Sequence, residues 1–280
     1  MRVYPRAIDA GLRGRKPPPD AKCGTMHEKL DEVLADVAAG RRSVDDAAAT
    51  LRHLGYVAVG DFARLDVSRA ARTGTPEIVY AEAKSVDQLL AIVTRYLEHS
   101  DAVFCSRATS DQAAAVTGRH AGATYDARSR VLLVRRPGAE APAEKGVVGV
   151  LAAGTSDVAV AEEAAAVCRA MGVRVVVAYD VGVAGLHRLA GPLEEMSAEG
   201  AAAIVVAAGM EGALPSVVAG LVDVPVIGLP TSTGYGMGGR GEAALLGMLQ
   251  SCSPGLVVVN IDNGVGAGVT AALVARRAGG

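Results

Sequence analysis

"AAAIVVAAGMEGALPSVVAGLVDVPVIGLP", residues 201–230, decides the fold. It opens on an unbroken run of small and β-branched residues and breaks at Gly209 to Gly212. A short helical stretch follows, and the segment returns to a second apolar run, "PVIGLP". A half-exposed strand alternates apolar and polar residues. A continuous run fits a strand covered on both faces, as in a parallel sheet. Strand, helix and strand in so short a span make one β-α-β unit.

The same pattern recurs on either side. "VVGVLAA" (147–153) and "VRVVVAY" (173–179) come before it, and "LVVVNI" (256–261) comes after. Five such runs with helical stretches between them predict an α/β fold, a three-layer doubly wound parallel sheet over 147–280. The chain in front reads differently. Leu30, Val33, Leu34 and Val37 recur at helical spacing until Gly40, and Ser43 caps a second helix with Asp45 and Asp46 in its first turn. Short strands near "FARLDV", "PEIVYAE" and "AVFCSRA", helices near 85–98 and 109–118, and a hairpin in "ATYDARSRVLLVRR" complete a small α+β domain over 26–136. Residues 137–146, "PGAEAPAEKG", read as a linker. Residues 1–25, with Arg2, Arg6, Arg13, Arg15, Lys16, Lys22 and a triple proline, read as a disordered basic extension.

Composition excludes several classes. The net charge of −2 offers no overall attraction to nucleic acid or anionic lipid. No apolar run reaches the ~18 residues of a membrane span. Cys23, Cys105, Cys168 and Cys252 form no CxxC pair, so neither a disulfide scaffold nor a zinc ribbon is expected, and a cytoplasmic setting is the default. The histidines lie far apart and form no metal-ligand pair on a helix face.

In an open α/β sheet, ligands bind beyond the carboxyl ends of the strands. The first such loop carries Gly154, Thr155, Ser156 and Asp157, which can present backbone N–H groups to an anion or serve as an ordinary helix cap. The third carries Gly209, Met210 and Glu211, the carboxylate being either functional or a first-turn complement to the helix dipole. The fourth, Thr231, Ser232, Thr233, Gly234 and Tyr235, leads into a GxGxxG match at Gly234, Gly236 and Gly239. That fingerprint belongs to the first β-α turn, so here it reads only as a flexible, phosphate-accommodating loop. The fifth ends in Asn260, Asp262 and Asn263, a turn with a helix cap or a ribose or carboxylate contact.

Together these stretches resemble a known family. "GTSD", residues 207–236 and "LLGMLQSCSPGLVVVNIDNGVGAG" (245–268) are similar to the pyridinium-3,5-biscarboxylic acid mononucleotide synthases, the LarB proteins of nickel-pincer cofactor biosynthesis. "RLDVSRAARTGTPEIVYAEAKS" (64–85) is similar to that family's N-terminal domain, including its basic–Gly–x–Pro–Glu core. The C-terminal half also resembles aminoimidazole ribonucleotide carboxylase of purine synthesis. That enzyme has a histidine before the Leu-Pro of the third loop, where this chain has Ala213.

The resemblance implies carboxylation of nicotinic acid adenine dinucleotide by CO2 or bicarbonate, with hydrolysis of its phosphoanhydride. It implies Cys252 as nucleophile and Glu211 as proton-handling base. The glycine and hydroxyl loops would hold phosphate, carboxylate or CO2. Arg72, Glu77 and Lys84 match the family pattern, and Arg72 and Lys84 would meet phosphates or remain solvated surface charges. No tightly bound cofactor is implied, and phosphate charge makes Mg2+ a candidate co-ion. A non-catalytic dinucleotide-binding module is the competing class, and it would not need Cys252. Cys252 follows the fourth helix of the sheet domain and so falls toward the amino edge. Either a neighbouring subunit would then supply it, or a bent loop would return it within the same chain; the resemblance implies a homo-oligomer, an octamer.

Overall fold

The computed structural model describes residues 26–51 and 56–279. The basic extension therefore lies outside the described residues. Two units are present, one ending at Gly55 and one running from Tyr56 to the C-terminus. The first holds α1 (Met26–Ala38) and α2 (Val44–Leu51). Gly40, at φ 70, ends the first helix run, and the Ser43 hydroxyl accepts from the Asp46 N–H at 3.0 Å to open the second. The second compact unit begins at Tyr56.

The second unit starts with a hairpin of β1 (Val57–Val59) and β2 (Ala63–Leu65), then α3 (Arg69–Thr73). Next come β3 (Ile78–Tyr80), α4 (Val86–Leu97), β4 (Ala102–Ser106), α5 (Ser110–Arg119), β5 (Ala123–Asp126) and β6 (Val131–Arg135). These four strands form a sheet in the order β3-β4-β6-β5, parallel only between β3 and β4. Both helices start with a reciprocal capping box, Ser85 with Gln88 and Thr109 with Gln112. Gln112 is buried, and its amide donates to Ala81 O and Lys84 O, tying α5 to the loop after β3. Leu89, Ile92, Val93 and Val116 pack on one face of this sheet.

The C-terminal part contains β7 (Val147–Ala152), α6 (Val158–Ala170), β8 (Arg174–Tyr179), α7 (Ala190–Ala198), β9 (Ala201–Ala208) and α8 (Ala213–Ala219). β10 (Val226–Pro230), α9 (Glu242–Leu249), β11 (Leu256–Val258) and α10 (Gly264–Ala278) complete it. All its strands are parallel, in the order β11-β10-β9-β7-β8. Helices α6 and α10 cover one face through Ala161, Ala164, Cys168, Ala267 and Ala271. Helices α7, α8 and α9 cover the other through Met196, Leu214, Val218 and Met248. Alanine and glycine at these contacts let helix backbones approach closely. A Cβ on Gly268 would lie 2.5 Å from Ala164 O. This is the three-layer doubly wound sheet expected from the sequence.

The linker segment ends pinned rather than free. Lys145 N–H donates to Gly172 O at 2.7 Å, and Gly146 at φ 79 sits where a Cβ would be 2.3 Å from Ala275 O. The second face of the four-stranded sheet also joins the core of the parallel sheet. Phe104, Val131 and Leu133 pack with α6, and Ile78 joins the same cluster. No helix among the described residues is long and apolar enough to cross a membrane.

Candidate active site

The parallel sheet changes winding direction between β7 and β9, and the loops leaving those strands diverge there. A cleft of about 520 Å3 opens at that point. Its walls include Gly154, Ser156, Asp157, Gly209, Met210 and Glu211, with Thr233, Gly234 and Tyr235 from the loop after β10. Three loops chosen from sequence thus converge on one hollow.

Their convergence has a specific cause. The Thr231 hydroxyl donates to Asp157 Oδ1 at 2.6 Å, with both side chains buried, while Asp157 Oδ2 accepts from Gly154 N–H at 2.9 Å. Asp157 therefore ties the first loop to the fourth. The fourth loop is bound to the third in turn, since Met210 N–H donates to Thr233 O at 3.0 Å. A Cβ on Gly209 would stand 2.2 Å from that same Thr233 carbonyl, so only glycine fits. Met210 holds φ 52 and is exposed, an uncommon conformation for a non-glycine residue. Glu211 follows it, exposed on the cleft wall.

The fifth loop behaves otherwise. Asn263 accepts from Gly266 N–H at 2.8 Å and caps α10, Asp262 accepts from Ser232 N–H at 2.8 Å, and Asn260 accepts from Ile261 N–H. All three line a separate hollow rather than the switch-point cleft. Thr155 is exposed and does not line the cleft, and Ser232 borders a neighbouring hollow.

Nor do Arg72 and Lys84 reach the cleft. Arg72 pairs with Asp66 at 2.5 Å, which holds the Asp66 carboxyl below its usual range. Lys84 Nζ donates to Tyr80 O. Glu77 lies near Arg72 and pairs with Arg69 at 3.4 Å, and burial pushes its pKa up. The cation that does line the cleft is Arg188, paired with Asp180 at 2.8 Å. Sequence reading passed over it because it sits in the short helical turns after β8, with no motif around it.

Cys252 is exposed in the turn between α9 and β11. Three residues on, Gly255 O accepts from Val226 N–H, at the first residue of β10, whereas Thr231 lies just past its last. The five-residue β10 spans roughly 13 Å, so the Cys252 turn enters the sheet at its amino edge, while Glu211 follows β9 at the carboxyl edge. Ser253 Oγ donates to Ser216 O at 2.8 Å and fixes the turn against α8. Cys105 and Cys168 are buried, and burial pushes both thiols up to about 12. Cys23 lies outside the described residues.

A larger hollow of about 850 Å3 opens at the amino edge beside Ala201 and Val224. Its acids, Glu194 and Asp223, are solvated and no loops converge there, so the switch-point cleft is the better site. Among the described residues no group of three or more His, Cys, Asp and Glu is placed to hold a metal ion.

Residues 56–136 match the LarB/PurE-like N-terminal domain, and residues 147–278 match AIR carboxylase. The chain is 40% identical to a protein of Methanocaldococcus jannaschii described as uncharacterized, over 90% of this chain and 98% of that one. Both domains, in this order and over nearly the full length of a relative, place the chain in the LarB family, with an AIR carboxylase-type C-terminal domain.

Proposed function

We propose that the protein carboxylates the pyridinium ring of nicotinic acid adenine dinucleotide and cuts its phosphoanhydride, releasing AMP and pyridinium-3,5-biscarboxylic acid mononucleotide. The observation that carries this reading is the pairing of a carboxylase-type cleft holding Glu211 with an exposed, serine-flanked Cys252. A pyridinium cation is electron-poor and does not attack CO2. The Cys252 thiolate adds to ring carbon 4 and leaves a dihydropyridine, whose enamine carbon 5 is nucleophilic. That carbon bonds CO2 and the ring nitrogen takes up the positive charge. Glu211 removes the proton from carbon 5, and the nitrogen lone pair then expels the thiolate and restores the aromatic cation. Electrons and charge balance without an oxidant, so the reaction needs no tightly bound redox cofactor.

The Cys252 turn lies toward the amino edge of the sheet and Glu211 toward the carboxyl edge, and in this reading a second copy completes the site. A second copy, turned so that its amino edge meets this cleft, supplies the thiol. Leu246 and Leu249, exposed at i, i+3 on α9, and Val257 on edge strand β11 give such a copy apolar surface. The assembly is a homo-oligomer, an octamer on the family resemblance. Mass spectrometry of products from the dinucleotide and 13C-bicarbonate tests the reaction: labelled dicarboxylated mononucleotide plus AMP is expected. Turnover of aminoimidazole ribonucleotide with the dinucleotide untouched would overturn it.

A further inference from the structure

The hollow next to the switch-point cleft does not select a ligand by charge. Arg107, Arg128 and Arg130 line it together with Glu82, Glu163 and Asp262, so cations and acids match. The cleft itself is different. Its one lining cation, Arg188, is paired with Asp180, and Asp157 is bonded to Thr231 and Gly154. Glu211 is the carboxylate left facing the space, so the cleft favours a group that carries positive charge.

The same cleft offers that group an aromatic face. The chain holds seven tyrosines, two phenylalanines and no tryptophan, so an aromatic side chain here is not a matter of abundance. Among the described residues Tyr235 is the one aromatic lining the cleft, and it is 82% exposed. Met210, also exposed, lies on the adjoining loop, and a Cβ on Gly234 would stand 3.6 Å from its Sδ. Two loops thus bring an electron-rich phenol and a polarisable thioether to one stretch of wall. The root of the ring is fixed, because Thr233 O, two residues back, accepts from Met210 N–H at 3.0 Å.

We infer that Tyr235 stacks on the pyridinium ring and is the residue by which the cleft selects a cationic aromatic ring. The electron-poor ring lies against the phenol face, and its opposite face stays open to the incoming thiol. The ring of Tyr235 makes this contact and its hydroxyl does not, so phenylalanine can replace it. The assignment rests on the reading above, in which the pyridinium ring occupies this cleft.

The lack of any natural tryptophan provides a direct probe. Tyr235→Trp introduces a single indole, and a pyridinium stacked on an indole quenches its fluorescence by accepting an electron from the excited state. Titration of the full-length Tyr235→Trp protein with nicotinic acid mononucleotide is expected to quench that emission to saturation. Ribose 5-phosphate, which lacks the ring, is expected to leave it unchanged. By calorimetry, Tyr235→Ala is expected to weaken mononucleotide binding about fivefold to thirtyfold, and Tyr235→Phe by less than about twofold.

Emission that the mononucleotide leaves unquenched, or affinity that Tyr235→Ala leaves unchanged, overturns the inference, even in a wild type that carboxylates the dinucleotide. Equal losses in Tyr235→Ala and Tyr235→Phe give the contact to the hydroxyl and overturn it as well. Quenching together with the Tyr235→Ala loss, in a wild type that leaves the dinucleotide untouched, upholds the stacking and sinks the catalytic reading instead.

Discussion

The Thr231 hydroxyl and the Asp157 carboxylate meet at 2.6 Å inside the sheet domain, 74 residues apart in sequence, and this bond sets the shape of the cleft mouth. Removing the hydroxyl leaves a buried carboxylate with one fewer donor. Thr231→Val is expected to cost about 2 kcal/mol of stability, more than a surface Thr→Val change. Urea unfolding monitored by circular dichroism checks it, and a midpoint unchanged from the wild type would show that the bond is not needed.

Gly209 and Gly191 form a matched pair for a backbone test. Gly209→Ala drives a methyl into Thr233 O, so the third and fourth loops must separate and turnover is expected to fall at least about a hundredfold. Gly191 lies in α7 with nothing within 4 Å of an added Cβ, and Gly191→Ala is expected to be neutral or to stabilise by about 0.5–1 kcal/mol. Equal effects in the two variants would remove the steric argument.

Thiol reactivity separates Cys252 from the buried cysteines. Cys252 is exposed, while Cys105 and Cys168 combine burial with thiols near 12. Timed iodoacetamide labelling with peptide mass spectrometry is expected to modify Cys252 at least about tenfold faster than either. Cys252→Ala and Cys252→Ser are both expected to fold and to lose carboxylation, and wild-type turnover in either makes the cysteine structural.

If the thiol crosses between subunits, two dead variants should repair each other. Co-refolding Cys252→Ala with Glu211→Ala is expected to restore part of the activity, through sites that take one intact residue from each parent. Verified mixed oligomers that stay inactive would place both residues in one chain.

Glu163 gives a pH signature. Burial raises its pKa above the ordinary 4.5, and the Arg107 charge only partly opposes this. A raised carboxyl favours folding below 4.5, and that contribution is lost as pH rises through the folded-state value. Glu163→Gln is therefore expected to gain thermal stability relative to the wild type at pH 7–8, with the gain shrinking toward pH 4. A difference independent of pH would mean that Glu163 does not titrate differently on folding.

The sequence by itself determined the parallel sheet, because an unbroken apolar run such as 201–208 has no solvent-facing side to alternate with. It also determined the helix starts at Ser43, Ser85 and Thr109, where the capping partner is three residues away. It pointed to Gly154, Glu211 and Gly234 because strand ends in such a sheet lie at one edge. Only the tertiary structure decided which loops share a hollow. Asn260, Asp262 and Asn263 leave the same edge as the others, yet their side chains serve the Ser232 N–H, the α10 cap and their own turn. Arg107, Arg128, Arg130 and Glu163 stood in no motif. They become neighbours because the four-stranded sheet docks on α6 and α10, and a contact between distant segments leaves no periodicity in either.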